Sequence, residues 1–364
     1  MAKTRTVPVE KKICETARQV HSKILDLKAP TMVTPVRSLS NVKYRAKAGY
    51  FEMLGKKKLR SLSVLTVKTF AQMLKMMSLA KELIDTDDIA TKREAYYVSK
   101  NWGKAGFSDQ AESDTIMDDV EAMFGVNREQ LRFTPEEKGG AVAGKLTVID
   151  TDARGKRLKI DCSRFGSGAY SIPTDVERLR FQSQAKFILA IETAGMFQRL
   201  LKYDYWKKAG CILISMGGVP TRACRRFIRR LAEQLKIPVY AFVDGDPYGY
   251  FNIYRTLKVG SGNAAHLNRF FCVPSARFLG VTPQDIITYK LPTHPLKEVD
   301  IKRAKDALKN DPFVAHHKPW QKAIKQMLEM GVRVEQQAFA KHGLDFVVNK
   351  YLPAKLKDPS KFLP

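Results

Sequence analysis

Four short apolar runs constrain this chain more than any other feature of it. Phe187-Ile-Leu-Ala-Ile191, Cys211-Ile-Leu-Ile-Ser215, Val239-Tyr-Ala-Phe-Val243 and Arg269-Phe-Phe-Cys-Val273 lack the polar alternation of a half-exposed strand, and helical patterns follow the first three. Runs of this kind predict strands of a parallel sheet buried on both faces. With 364 residues the chain has room for two or three ordinary domains. We place the sheet at about 186–275, within a domain over 149–364. From about 293 that domain reads as helix-rich, with a strong helix over 320–330.

Upstream of Pro173 the period is different. Val67, Phe70, Leu74, Met77 and Ile84 recur at helical steps behind Thr66 as N-cap, and Asp85-Thr-Asp-Asp88 ends the helix. Thr91-Lys-Arg-Glu94 has the form of a capping box, in which hydroxyl and carboxylate satisfy orphan amides reciprocally, so a second helix starts there. A third spans 108–124, with Ile116, Val120, Met123 and Phe124 inward and Gly125 as its stop. Three short helices followed by alternating segments at 145–149 and 157–162 predict a winged-helix (helix-turn-helix) domain over 67–148. Residues 1–66 carry fifteen Lys or Arg against four acidic residues and read as a basic extension. Its composition leaves open whether it is a solvated arm or touches nucleic acid.

The charge is now informative. Lys and Arg exceed Asp and Glu by 26, yet 44% of residues are hydrophobic, so the charge sits on a folded surface. A surface of that sign attracts polyanions, nucleic acid above all. No apolar run approaches the roughly 20 residues of a membrane span, and Met1-Ala-Lys-Thr-Arg lacks the apolar stretch of a signal peptide. Five scattered cysteines without zinc spacing read as reduced thiols of a cytosolic protein.

Carboxylates mark the chemistry. Glu192 follows the first apolar run, and Asp244-Gly-Asp246-Pro-Tyr-Gly249 follows the third. Ligands of open parallel sheets bind beyond the carboxyl ends of the strands, and three carboxylates converging there call for a hard cation, Mg²⁺ being the natural one. A lone Asp-x-Asp would more often cap a helix; Glu192 on a second strand favours the metal. Arg222, Arg225, Arg226 and Arg229 share one face of a helix opened by Met216-Gly-Gly-Val-Pro220, a candidate phosphate track. Tyr96 and Tyr97 lie beside Lys92 and Arg93. Adjacent helical residues point about 100° apart, so one ring is buried at most while the other is presented. The stretch 139–145 nearly spells a phosphate loop, but Leu146 stands where Ser or Thr must reach the metal, leaving no visible ATPase in the chain.

Lys92-Arg-Glu-Ala-Tyr-Tyr97, Lys138-Gly-Gly-Ala-Val-Ala-Gly144, Gly168-Ala-Tyr-Ser-Ile-Pro173, Ile191-Glu192 and Asp244-Gly-Asp-Pro-Tyr-Gly249, in this order, resemble the A subunits of the archaeal type IIB DNA topoisomerases and the related meiotic double-strand-break enzymes. The resemblance implies a winged-helix (CAP-like) domain with a catalytic tyrosine, followed by a Toprim domain with a mainly parallel sheet and a Mg²⁺ site. It implies Tyr97 as nucleophile, Arg93 near the scissile phosphate, and Glu192, Asp244 and Asp246 as metal ligands; Lys92 and the four arginines are expected on DNA from their charge and placement. Glu94 stands where the meiotic relatives often have Asp, which keeps its capping role and puts a separate base role in doubt. A homodimer acting on duplex DNA is implied, joined by an ATPase, the B subunit, into a heterotetramer of two A and two B subunits, in the cytoplasm at the nucleoid. Two other readings stand beside this one: a double-strand-break transesterase without strand passage, and a non-catalytic DNA-binding protein.

Overall fold

The structure, a computed structural model, describes residues 8–134, 139–152 and 154–364. Met1-Ala-Lys-Thr-Arg and Lys138 of the motif above lie outside the described residues. The chain forms two compact units. The first comprises Met1–Val42, Glu52–Glu136 and Gly262–Leu267; the second comprises Lys43–Phe51, Glu137–Ser261 and Asn268–Pro364.

The first unit is mainly helical. Helices Val9–Leu25, Val67–Asp85, Lys92–Val98 and Gln110–Phe124 enclose a core of Phe70, Met73, Met76, Met77, Ile116, Val120, Leu131 and Phe133. Part of the segment expected as an extension contributes to that core: Ile13 and Val20, two turns apart on one helix face, and Met32 are all buried in it. Basic composition hid a short amphipathic face. Strands Thr31–Pro35 and Lys57–Ser61 pair antiparallel, and Ala90–Thr91 pairs with Phe133–Thr134 in parallel. Thr66 stands at the N-terminus of its helix without capping it, because its hydroxyl donates to the Ser61 carbonyl and accepts from Ser63 N at 3.2 Å. Gly125 ends the helix Gln110–Phe124 in the left-handed region, φ +63°.

The strands expected as wings belong to the second unit. Thr147–Thr151 and Arg157–Asp161 pair antiparallel, and Arg180–Gln182 adds on the other edge of Thr147–Thr151, making a separate three-stranded sheet. Their alternation is a true strand signal; what the local pattern lacks is the partner strand Arg180–Gln182.

The main sheet has six strands in the order Tyr170–Ser171, Ala141–Gly144, Ile212–Ser215, Ile188–Ile191, Val239–Phe242, Ala276–Gly280. The last four run parallel to one another, and Ala141–Gly144 runs antiparallel both to its neighbour among them and to Tyr170–Ser171. The apolar run 269–273 is no strand. Asn268–Phe271 is a helical turn, and the parallel edge strand is Ala276–Gly280. A short buried run reads alike in either state, and here Arg226 Nη1 and Arg229 Nη1 bond the carbonyls of Phe270 and Cys272, each at 3.1 Å. The near-phosphate loop is the strand Ala141–Gly144. Its glycines serve close backbone packing: a Cβ on Gly140 (φ +98°) would lie 2.4 Å from Ser215 O, and one on Gly144 (φ +108°) 2.7 Å from Cys211 O. Among the described residues all five cysteines are unpaired thiols, and no helix is long and apolar enough to cross a membrane.

Candidate active site

The first parallel strand, Ile188–Ile191, is flanked by the second on one side and the third on the other. The connection leaving Ile188–Ile191 therefore runs to one side, toward Ile212–Ser215, and the connection leaving Val239–Phe242 runs to the other, toward Ala276–Gly280, so a crevice opens at the carboxyl ends of these two strands, where such sheets bind ligands. Ile191 registers with Phe242, so Glu192 and Asp244 emerge side by side. The backbone N–H of Asp244 donates to Glu192 Oε2 at 2.8 Å. Glu192 is buried, and burial first, then the Asp244 charge, pushes its carboxyl up to about 8. Burial raises Asp244 as well, to about 6, against a hydrogen bond from Gln336 N; Asp246 is raised by burial, although its Oδ1 accepts from Gly249 N at 2.6 Å.

Sequence reasoning missed a further set of residues here. Glu335 adds negative charge to both Glu192 and Asp244, and Arg333 lies 3.9 Å from Asp246 Oδ2 and 3.9 Å from the buried Asp300. They reach the site because Val334 pairs antiparallel with Gly245, a contact with no local sequence signal.

Among the described residues no three His, Cys, Asp or Glu groups converge closely enough to bind a metal ion by themselves. Glu192, Asp244 and Asp246 each commit one oxygen to a backbone amide. This donor set fits a hard cation that keeps several waters and takes one or two carboxylates, as Mg²⁺ does, rather than a caged ion.

In the first unit, the capping box opens the helix Lys92–Val98: Glu94 N donates to Thr91 Oγ1 at 3.1 Å and Thr91 N to Glu94 Oε2 at 2.6 Å. Tyr96 and Tyr97 differ in setting. Tyr96 is half-buried, its hydroxyl 3.4 Å from the Ser108 carbonyl and its ring 4.3 Å from Lys100 Nζ. Tyr97 is 56% exposed, with the Arg93 guanidinium 6.0 Å from its ring centre. Lys92 is ion-paired with Asp114. The arginine helix, Arg222–Leu235, uses its cations on protein: Arg226 chelates Glu177, Arg229 bonds Glu233 at 2.8 Å, Arg225 reaches Thr256 O at 3.4 Å, and Arg222 lies over Phe271. All four are half-buried.

Over 98% of its length the chain is 56% identical to the A subunit of type 2 DNA topoisomerase 6 from Methanocaldococcus jannaschii, covering 96% of that relative. The chain belongs to this family. It is 39% identical to the protein of the same name from Methanothermobacter thermautotrophicus (90% of this chain, 91% of the relative) and 36% identical to that of Methanosarcina barkeri (97% and 96%). The family model for the Toprim domain of Spo11 and the topoisomerase 6 A subunit matches residues 187–356 and includes all three carboxylates. "Type IIB DNA topoisomerase" matches 68–133, including Tyr97, and "All-beta domain in DNA topoisomerase VI alpha subunit" matches 136–185, the region of the strands expected as wings.

Proposed function

We propose that this chain is the DNA-cleaving and religating subunit of an ATP-dependent type IIB topoisomerase, with Tyr97 as nucleophile and Glu192, Asp244 and Asp246 holding Mg²⁺. The observation that carries the reading is the crevice where buried Glu192 and half-buried Asp244, both raised, meet at the switch point of a sheet matched by the Toprim model. A surface that only binds DNA gains nothing from burying negative charge there.

Tyr97 Oη bonds to phosphorus as the bond from phosphorus to the 3′ oxygen breaks. The phenol gives up its proton, the departing 3′ oxygen takes one, and a 5′-phosphotyrosyl ester remains. Because the ester keeps the bond energy, reversal reseals the strand without ATP. Exposure of Tyr97 suits a group that must reach a duplex, and Arg93 beside it offsets negative charge on the phosphate. Bound Mg²⁺ supplies further positive charge to the phosphoryl oxygens. Tyr96, packed on Ser108 and Lys100, supports the helix. The helical unit reads as the helix-turn-helix module that presents the tyrosine. Two such chains cut both strands of a duplex, Tyr97 of one acting with the carboxylates of the other, and an ATP-hydrolysing partner drives passage of a second duplex. The four arginines, spent on protein groups, read as structural.

The test is adduct formation on end-labelled duplex with Mg²⁺, the ATPase partner and ATP, trapped by denaturation. Tyr97→Phe should abolish the adduct and Tyr96→Phe should retain it; the opposite pattern exchanges their roles. Asp244→Asn should remove cleavage while leaving DNA binding. Cleavage that never reseals, with no relaxation of supercoils, would favour a double-strand-break enzyme instead.

A further inference from the structure

We infer that Gln336 is a positioning residue of the carboxylate site, fixing the two strand ends that bear Glu192 and Asp244 at the separation a cation requires. This rests on the reading of that cluster as a cation site. Gln336 is fully buried, and every polar group it carries toward the site goes to one of those strand ends. Its backbone N–H donates to Asp244 Oδ1 at 2.8 Å, and its Nε2 donates to Phe242 O at 2.8 Å. Its Oε1 accepts from Thr193 Oγ1 at 2.8 Å. Phe242 is the last residue of the strand leading to Asp244, and Thr193 directly follows Glu192. A single side-chain amide thus ties one strand end to the other.

The tie is delivered from far along the chain. Gly245 N donates to Val334 O at 2.8 Å and Val334 N to Gly245 O at 3.2 Å, setting Gln336 against the crevice. A Cβ on Gly245 would come within 2.6 Å of Val334 Cγ1, so this approach requires glycine. Packing alone would be served as well by methionine, which has the same length and no desolvation cost. The amide has a different use. Glu192 and Asp244 repel each other, and hydrogen-bonded partners of ligating groups hold them in place at a typical value of about 10–100-fold in metal affinity.

The experiment uses the full-length chain and Mn²⁺ binding followed by electron paramagnetic resonance without DNA, with melting temperatures alongside. Gln336→Met keeps the backbone bond to Asp244 and loses the tie. Phe242 O retains its bond from Glu192 N and Thr193 Oγ1 its bond from Met196 N, so the variant should fold. We expect Mn²⁺ affinity to fall about 10–100-fold, and cleavage in the complex with the ATPase partner to recover at raised Mg²⁺ to an unchanged plateau. Thr193→Val, which breaks the tie from its other end, should weaken Mn²⁺ in the same way while Thr193→Ser does not, and this pair decides the matter if Gln336→Met fails to fold. Wild-type Mn²⁺ affinity in Gln336→Met, or in Thr193→Val, overturns the positioning role provided Asp244→Asn has lost the ion. If Asp244→Asn binds Mn²⁺ like the wild type, the cation reading of the cluster itself fails and the role of Gln336 falls with it.

Discussion

Neutralising one carboxylate at the crevice should make the metal-free protein more stable, and the size of the gain follows from the site. Glu192 is held at about 8 against 4.5 for an ordinary glutamate, first by burial and then by the charge of Asp244. At about 1.4 kcal/mol per pH unit, that displacement amounts to on the order of 3–5 kcal/mol. Its sign is set by the raised folded value. Below pH 4.5 both states hold the proton and nothing is lost; between 4.5 and about 8 the unfolded chain ionises first, so stability falls as pH rises; above about 8 the fall ends. In Glu192→Gln the side chain keeps an oxygen for the Asp244 amide and cannot ionise. For a unit of this size the gain at pH 8.5 corresponds to on the order of 10 °C in melting temperature. Calorimetry in a chelating buffer from pH 5 to 9 should show a downward slope for wild type, reduced in the variant. Mg²⁺ at pH 8.5 should restore the wild type and leave Glu192→Gln nearly unchanged. A variant that melts below wild type at pH 8.5, or that keeps the full slope, would refute the reasoning.

Four further outcomes follow from particular contacts. Thr91→Ala removes the capping box and should cost about 1 kcal/mol, seen as faster amide exchange at Glu94 and slower adduct formation by Tyr97. Glu112 is opposed by burial, yet bonds from Ser108 and Gln72 hold it down to about 2; its contribution is therefore complete above pH 4.5 and lost as pH falls toward 2, so Glu112→Gln should unfold about 1–2 kcal/mol more easily at pH 7 than wild type and be nearly equivalent at pH 2 in denaturant titrations. Gly140→Ala meets both a left-handed backbone and Ser215 O, and should lose about 2–4 kcal/mol by thermal denaturation. Arg226→Ala should lower the melting temperature and leave the salt dependence of DNA binding unchanged; a slope reduced by about one would return this residue to the phosphate track.

Sequence carried the parts of this molecule that depend on neighbours in the chain. Three of the four apolar runs became parallel strands because continuous burial leaves a continuous apolar signature, and the Thr91 capping box was legible because both partners lie within one turn. Placing Glu192 and Asp244 at one edge needed only the rule that parallel strands end on the same side. What escaped was set by distant pairing. Arg269–Val273 is as apolar as a strand, but its carbonyls are taken by two arginines over 40 residues away. Arg333, Glu335 and Gln336 reach the carboxylates through a bridge between Gly245 and Val334 that leaves no period in either segment. The arginine face was visible as a charge run, whereas its occupants, Glu177 and the carbonyls of Thr256, Phe270 and Cys272, were not.

The threading of the chain between its two units has a consequence for the order in which the protein can be made. Gly262–Leu267 belongs to the first unit, where Arg37 Nη1 reaches Asn263 O at 3.5 Å and a Cβ on Gly262 would strike Leu39 Cα at 2.7 Å. The first unit therefore stays incomplete on the ribosome until more than half of the second has been synthesised, although domains ordinarily finish folding in the order they emerge. A gene fragment cut where the first unit gives way to the second, after Glu136, would encode the tyrosine helix without the residues that complete its unit.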